Sequence, residues 1–143
     1  MRAASVVILV ADDFEPFRHL LRKKLQDGAG YQVVEASDGL EAVTKAVEWQ
    51  PTLVLLDITM PNLNGLSAAE QIRSLVPKSK VIFVTQHTDP DFVQAAMDIG
   101  AAGYVCKQRI NIGLLSAIGA VLSGRTFVCA ECDPTEPCVC ATC

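Results

Sequence analysis

One stretch limits what this 143-residue chain can fold into more than any other: Leu53-Val54-Leu55-Leu56-Asp57-Ile58-Thr59-Met60-Pro61. Four apolar residues run without alternation into a single carboxylate. Such a run suits a strand covered on both faces, as in a parallel sheet. Asp57 then stands at the carboxyl end of that strand. In open α/β sheets, ligands bind along that edge. The competing reading is an aspartate that merely opens a loop or caps a helix. The ends of the other strands decide between the two.

The same rhythm recurs along the chain. Residues 5–11 read as a buried strand closed by Asp12-Asp13, and residues 31–36 as a second. Residues 53–57, 80–85 and 103–107 supply three more. Helical spacing of apolar residues fills each gap. Phe17, Leu20, Leu21 and Leu25 mark the first helix, and Leu40, Val43 and Val47 the second. Ile72, Leu75 and Val76 mark the third, and Phe92, Ala95, Ala96 and Ile99 the fourth. Leu114, Leu115, Ile118, Val121 and Leu122 mark a fifth, over 110–123. Five strands alternating with five helices predict an α/β fold with a parallel sheet covered on both faces.

Every strand of such a sheet points its carboxyl end at one edge. The residues there are Asp12 and Asp13, then Asp57, Thr85 and Lys107. Three carboxylates repel one another, and a hard divalent cation resolves the conflict. An ammonium and a hydroxyl beside them suit the oxygens of an anion. These are the parts of phosphoryl transfer: metal site, cationic clamp, hydroxyl donor and nucleophilic carboxylate.

Composition narrows the remaining classes. A net charge of −4 and 6% aromatic residues argue against a nucleic-acid surface. The apolar run at 6–11 is too short to cross a bilayer and lacks the pattern of a signal peptide. A soluble cytoplasmic protein, not bound to membrane, is the expectation. The cysteines split the chain: Cys106 stands alone, whereas Cys129, Cys132, Cys138, Cys140 and Cys143 crowd the end. Two parts are therefore expected, 1–125 and a cysteine-rich tail at 126–143. The tail thiolates could hold zinc or another soft metal, or sense redox state. The alternative is a short extension whose cysteines do nothing together. Disulfides are not expected in a reducing cytoplasm.

Residues 5–123 resemble the receiver domain of a two-component response regulator. The motifs are Asp12-Asp13, Asp57 with Pro61 and Gly65, Thr85, and Tyr104 with Lys107. The resemblance implies a flavodoxin-like, doubly wound (βα)5 fold of strand order 2-1-3-4-5. It makes Asp57 the phosphoacceptor, fed by a histidine kinase or phosphotransfer protein. Asp12, Asp13, Asp57 and the Thr59 carbonyl would hold Mg2+ (or Mn2+), and Thr85 and Lys107 would meet the phosphoryl group. Thr85 and Tyr104 would form the switch, with Tyr104 turning from exposed to buried; alternatively Tyr104 is an ordinary surface aromatic. A downstream output protein or separate domain, or a homodimer, would read the change. The chain itself would not be an enzyme beyond reacting at its own aspartate. Thr59 and His87 flank the site at positions that tune phosphoryl lifetime in the family.

Some residues depart from the usual pattern. Gln86 follows the switch Thr85 where a small residue is usual, and Gln108 follows Lys107 where proline is common. The second departure, with a long amphipathic helix over 114–127 carrying Gly124-Arg125, resembles NarL/FixJ-type receivers without their DNA-binding domain. A phosphatase on the same fold would need a second aspartate two positions after the nucleophile, where Thr59 stands.

Overall fold

A computed structural model describes residues 6–87 and 89–128 of the chain. The element order is β1 (Val7–Ala11), α1 (Glu15–Ala29), β2 (Gln32–Ala36), α2 (Gly39–Trp49), β3 (Leu53–Leu56) and α3 (Gly65–Leu75). There follow β4 (Lys80–Thr85), α4 (Pro90–Ile99), β5 (Gly103–Cys106), a 3-10 turn (Lys107–Arg109), α5 (Ile110–Leu122) and β6 (Phe127–Val128). All pairings are parallel, in the order β2-β1-β3-β4-β5-β6. The doubly wound fold is thus present, but with six strands among the described residues where the sequence predicts five. The sixth is two residues long and pairs Phe127 with Gly103 and Val128 with Tyr104. It is too short to show a periodicity. It also corrects the long final helix: α5 stops at Leu122, and Gly124 adopts a left-handed φ of 89° that turns the chain back to the sheet.

The central strands form the core. Every residue of β3, from Leu53 to Leu56, is buried, as are Ile8, Leu9 and Val10 of β1 and Val81 to Val84 of β4. Burying each such side chain contributes roughly 1.5–3 kcal/mol. The helices cover the sheet with small and large residues alike: Leu21 and Leu25 on α1, Ala42 and Ala46 on α2, Ala68, Ala69 and Ile72 on α3, Ala96 on α4, and Leu114, Ala117, Ile118 and Val121 on α5. Leu20, Leu40, Val47, Leu75, Leu115 and Leu122 stand largely exposed, against the expected inner faces. On α2 the buried residues are Gly39, Ala42 and Ala46, and the longer Leu40 and Val47 are left outside.

Local signals set the helix ends. Asp38, Asn64 and Asp89 each accept a backbone N–H at the start of α2, α3 and α4. Gly30 and Gly100 end α1 and α4 in the left-handed region. Cys106 is fully buried in β5. The tail cysteines Cys129, Cys132, Cys138, Cys140 and Cys143, with the zinc they could hold, lie outside the described residues.

Candidate functional site

The site is built where β1, β3, β4 and β5 leave the sheet together. Parallel register places Ala11 beside Leu56, Leu56 beside Phe83 and Thr85 beside Cys106. The next residues, Asp12, Asp57 and Lys107, therefore emerge side by side. Backbone bonds hold the edge: Asp12 N–H donates to the Ala36 carbonyl at 3.1 Å, and Asp57 N–H to that of Ala11 at 3.1 Å.

Lys107 joins the two buried carboxylates. Its Nζ lies 2.7 Å from Asp12 Oδ2 and 3.0 Å from Asp57 Oδ2. Asp12 and Asp57 are 2% and 7% exposed, so this ion pair works in a poorly hydrated setting. Asp12 Oδ1 also accepts the Phe14 N–H at 2.9 Å. Burial pushes the Asp12 carboxyl above its ordinary range, prevailing over the pull of Lys107 and the Phe14 amide. Burial also works against the Lys107 charge, but the two carboxylates outweigh it and hold the ammonium above its usual value. Asp13, beside them, is exposed. Carboxylate oxygens of Asp12, Asp13 and Asp57 all lie within 4.8 Å of one another.

The surroundings fix this cluster in place. A cleft of about 590 Å³ opens over it, lined by Asp13, Phe14, Phe17, Asp57, Thr59, Gln86, His87 and Lys107. Gln86 is exposed on its wall. Gly65 lets α3 begin against the Asp57 backbone: its N–H donates to the Ile58 carbonyl at 2.7 Å. A Cβ there would stand 2.0 Å from the Asp57 carbonyl oxygen, so only glycine fits.

Thr85 is completely buried, and its hydroxyl oxygen accepts the His87 N–H at 3.3 Å. Tyr104 is also completely buried, and its hydroxyl donates to the His87 carbonyl at 2.9 Å. This arrangement differs from that of a surface aromatic. Burial, and then the charges of Asp57 and Asp89, push its phenol well above the usual range. The Thr59 side chain lies 2.6 Å from His87 Nε2. His87 is thus engaged through its ring, its N–H and its carbonyl.

Three supporting residues escaped the sequence reading. Arg18 Nη1 donates to the Asp12 carbonyl at 2.8 Å, while its Nε reaches Glu35 at 2.8 Å. The Lys107 ammonium sits 4.4 Å from the centre of the Phe17 ring, a cation–π contact. Phe14 stands 60% exposed at the mouth. The spacing of Phe17 marks it as a core residue, and nothing in the sequence ties Arg18 to a position 17 residues away.

Comparison with known proteins places these features in a family. The model of the response regulator receiver domain matches residues 8–118. This chain belongs to the response regulator receiver family. Receiver-bearing relatives include the response regulator UvrY of Escherichia coli K12, 36% identical over 87% of this chain and 57% of its own length. The transcriptional activator protein ExaE of Pseudomonas putida is 34% identical over 85% of this chain and 57% of its own. The chain thus spans a little over half the length of these relatives. Among solved receivers, a LuxR-family response regulator from Aurantimonas superposes with a TM-score of 0.81 at 33% identity, covering 86% of this chain and 89% of that one. The receiver of a NarL-type regulator from Mycobacterium tuberculosis gives 0.79 at 30% identity, covering 85% and 98%. The receiver fold is therefore flavodoxin-like and the NarL/LuxR-type kinship holds. Among the described residues, no helix is long and apolar enough to cross a membrane.

Proposed function

We infer that this chain is a phosphoacceptor in a two-component phosphorelay, with Asp57 as the acceptor. The observation that carries the reading is Lys107, whose single ammonium bonds Asp12 and Asp57 together at the carboxyl edge of the sheet. A structural salt bridge needs one carboxylate partner. A site for an incoming phosphoryl group needs a nucleophile already beside a cation, with spare acidic ligands close by.

The donor set fits a hard divalent cation: three carboxylates face one ammonium, leaving net negative charge and only oxygen ligands. Asp12, Asp13 and Asp57, with the Thr59 carbonyl, would hold Mg2+ (or Mn2+), which when bound supplies charge neutralisation for the phosphoryl oxygens. The chain's own groups do the rest. A phosphohistidine on a histidine kinase or phosphotransfer protein enters the cleft between Phe14 and His87. An Asp57 oxygen attacks phosphorus in line; the new O–P bond forms as the P–N bond to imidazole breaks. Lys107 balances charge on the equatorial oxygens. Thr85 already accepts a bond from His87 N–H, which leaves its own hydroxyl proton for a phosphoryl oxygen. Water later cleaves the acyl phosphate and returns Asp57. The chain acts on no separate substrate and so is not an enzyme in the ordinary sense.

The signal would leave through Thr85 and Tyr104 to the face of α4, β5 and α5, and be read in the cytoplasm by an output protein, a separate domain or a second copy. We take the receiver to occupy 1–125, with the cysteine-rich 126–143 beyond it. Incubation with acetyl phosphate and magnesium tests the acceptor: the parent gains one phosphoryl group, and Asp57→Asn gains none. Equal labelling of the two would remove Asp57 from the role.

A further inference from the structure

Among the described residues, a side-chain contact joins the loops after β3 and β4 over the cleft. Thr59 Oγ1 and His87 Nε2 are 2.6 Å apart. The His87 ring packs against Phe92 of α4 with centroids 4.6 Å apart. The main chain of His87 is engaged as well, its N–H by Thr85 and its carbonyl by the Tyr104 hydroxyl. One residue therefore joins the loop that carries Asp57, both switch residues and α4. Every group in this link belongs to the chain itself, so it does not depend on what occupies the cleft.

We propose that His87 is a positioning residue for the switch, latched by Thr59: their contact holds the β4–α4 loop where its carbonyl receives the buried Tyr104 hydroxyl. The proposal deepens the receiver reading, which gives the position of Tyr104 its meaning. If the loop swings away, that hydroxyl loses its acceptor inside the core. An unpaired buried hydroxyl is costly, so the ring turns out to water instead. Loop and ring then move as one two-state element. Thr59 biases it inward from the far side of the cleft, so the phosphorylated form begins from a resting balance already displaced toward it. The hydroxyl of Thr59 is thereby a determinant of basal signalling.

The contact joins an exposed threonine to a half-buried histidine. Losing such a bond shifts the in/out balance by about twofold to tenfold. The chain has two tyrosines, so fluorotyrosine in a Tyr31→Phe background leaves Tyr104 as the sole reporter. In full-length protein never exposed to a phosphodonor, Thr59→Val keeps the shape of the side chain and removes the hydroxyl. Its 19F spectrum is expected to move toward the solvent-exposed position by that factor, with Thr59→Ser restoring the parent spectrum. His87→Ala, which loses the ring contact as well, moves it further. A Thr59→Val spectrum equal to the parent, or a Thr59→Ser spectrum equal to that of Thr59→Val, overturns the latch. No phosphate enters this experiment. A failure to label Asp57 therefore sinks the phosphoacceptor reading alone, and an unmoved Tyr104 sinks the latch alone.

Discussion

Gly65→Ala offers a test in which two effects of opposite sign compete. At the first residue of α3, alanine should help, by up to about 1 kcal/mol, because glycine is the poorer helix former. The structure opposes it. The added Cβ would stand 2.0 Å from the Asp57 carbonyl oxygen and 2.8 Å from the Ile58 Cα, both backbone atoms that cannot rotate away. Overpacking costs typically 1–3 kcal/mol, and a backbone clash belongs at the upper end. The net expectation is a loss of about 2 kcal/mol, which for a chain of this size lowers Tm by about 7 °C. The strain falls on the Asp57 backbone, so labelling by acetyl phosphate should slow as well. Gly119→Ala supplies the control. Gly119 lies inside α5 with nothing near its virtual Cβ, so alanine there should stabilise by up to about 1 kcal/mol and leave labelling unchanged. Thermal unfolding of the three proteins, followed by circular dichroism, separates the effects. A Gly65→Ala protein as stable as the parent and as quickly labelled would refute the argument from close approach.

Other outcomes follow from single contacts. Lys107→Met leaves Asp12 and Asp57 as like charges in a buried setting; partial exposure of the lysine moderates the cost to about 1–3 kcal/mol, measurable by urea unfolding and partly recovered on adding magnesium. Phe17→Leu keeps an apolar side chain but removes the ring face under Lys107, costing about 0.5–1 kcal/mol. Glu35 has its carboxyl held below the ordinary range: burial works the other way, but bonds from Arg18 and Arg22 prevail. A lowered folded-state pKa means stability that is present above the unfolded value and lost as pH falls through the folded one. Glu35→Gln should therefore be less stable than the parent at neutral pH, with the gap closing as pH drops below the ordinary glutamate range. A gap that persists unchanged in acid would count against the Arg18–Glu35–Arg22 pairing.

The sheet and its active edge were legible because they are written in uninterrupted apolar runs, each ended by a residue of distinct chemistry. Asp12, Asp57 and Lys107 needed only parallel register to meet. Helix positions were legible too, and their buried faces in part: Leu21, Leu25, Ile72, Val76, Leu114, Ile118 and Val121 are buried as expected. Leu40, Val47 and Leu75 carry the strongest apolar signal yet stand exposed, while Ala42, Ala46 and Ala69 make the close contacts. Hydrophobicity ranks side chains by size, and close packing on a sheet selects for smallness. Strand β6 was hidden by its length of two residues. The Thr59–His87 contact was hidden for another reason. Both residues flank the site in the sequence, but only the adjacency of the β3 and β4 ends brings their side chains into contact.

The central claim is that Asp57 is the nucleophile, and trapping its acyl phosphate tests this most directly. Borohydride reduces an aspartyl phosphate to homoserine, and the tryptic peptide spanning 46–73 contains Asp57 as its sole aspartate. After acetyl phosphate and magnesium, followed by borohydride, mass spectrometry should find homoserine at position 57, and none when magnesium is omitted. Homoserine at position 12 or 13 instead, or an unmodified 57 in protein that carries a phosphoryl group, would contradict the account.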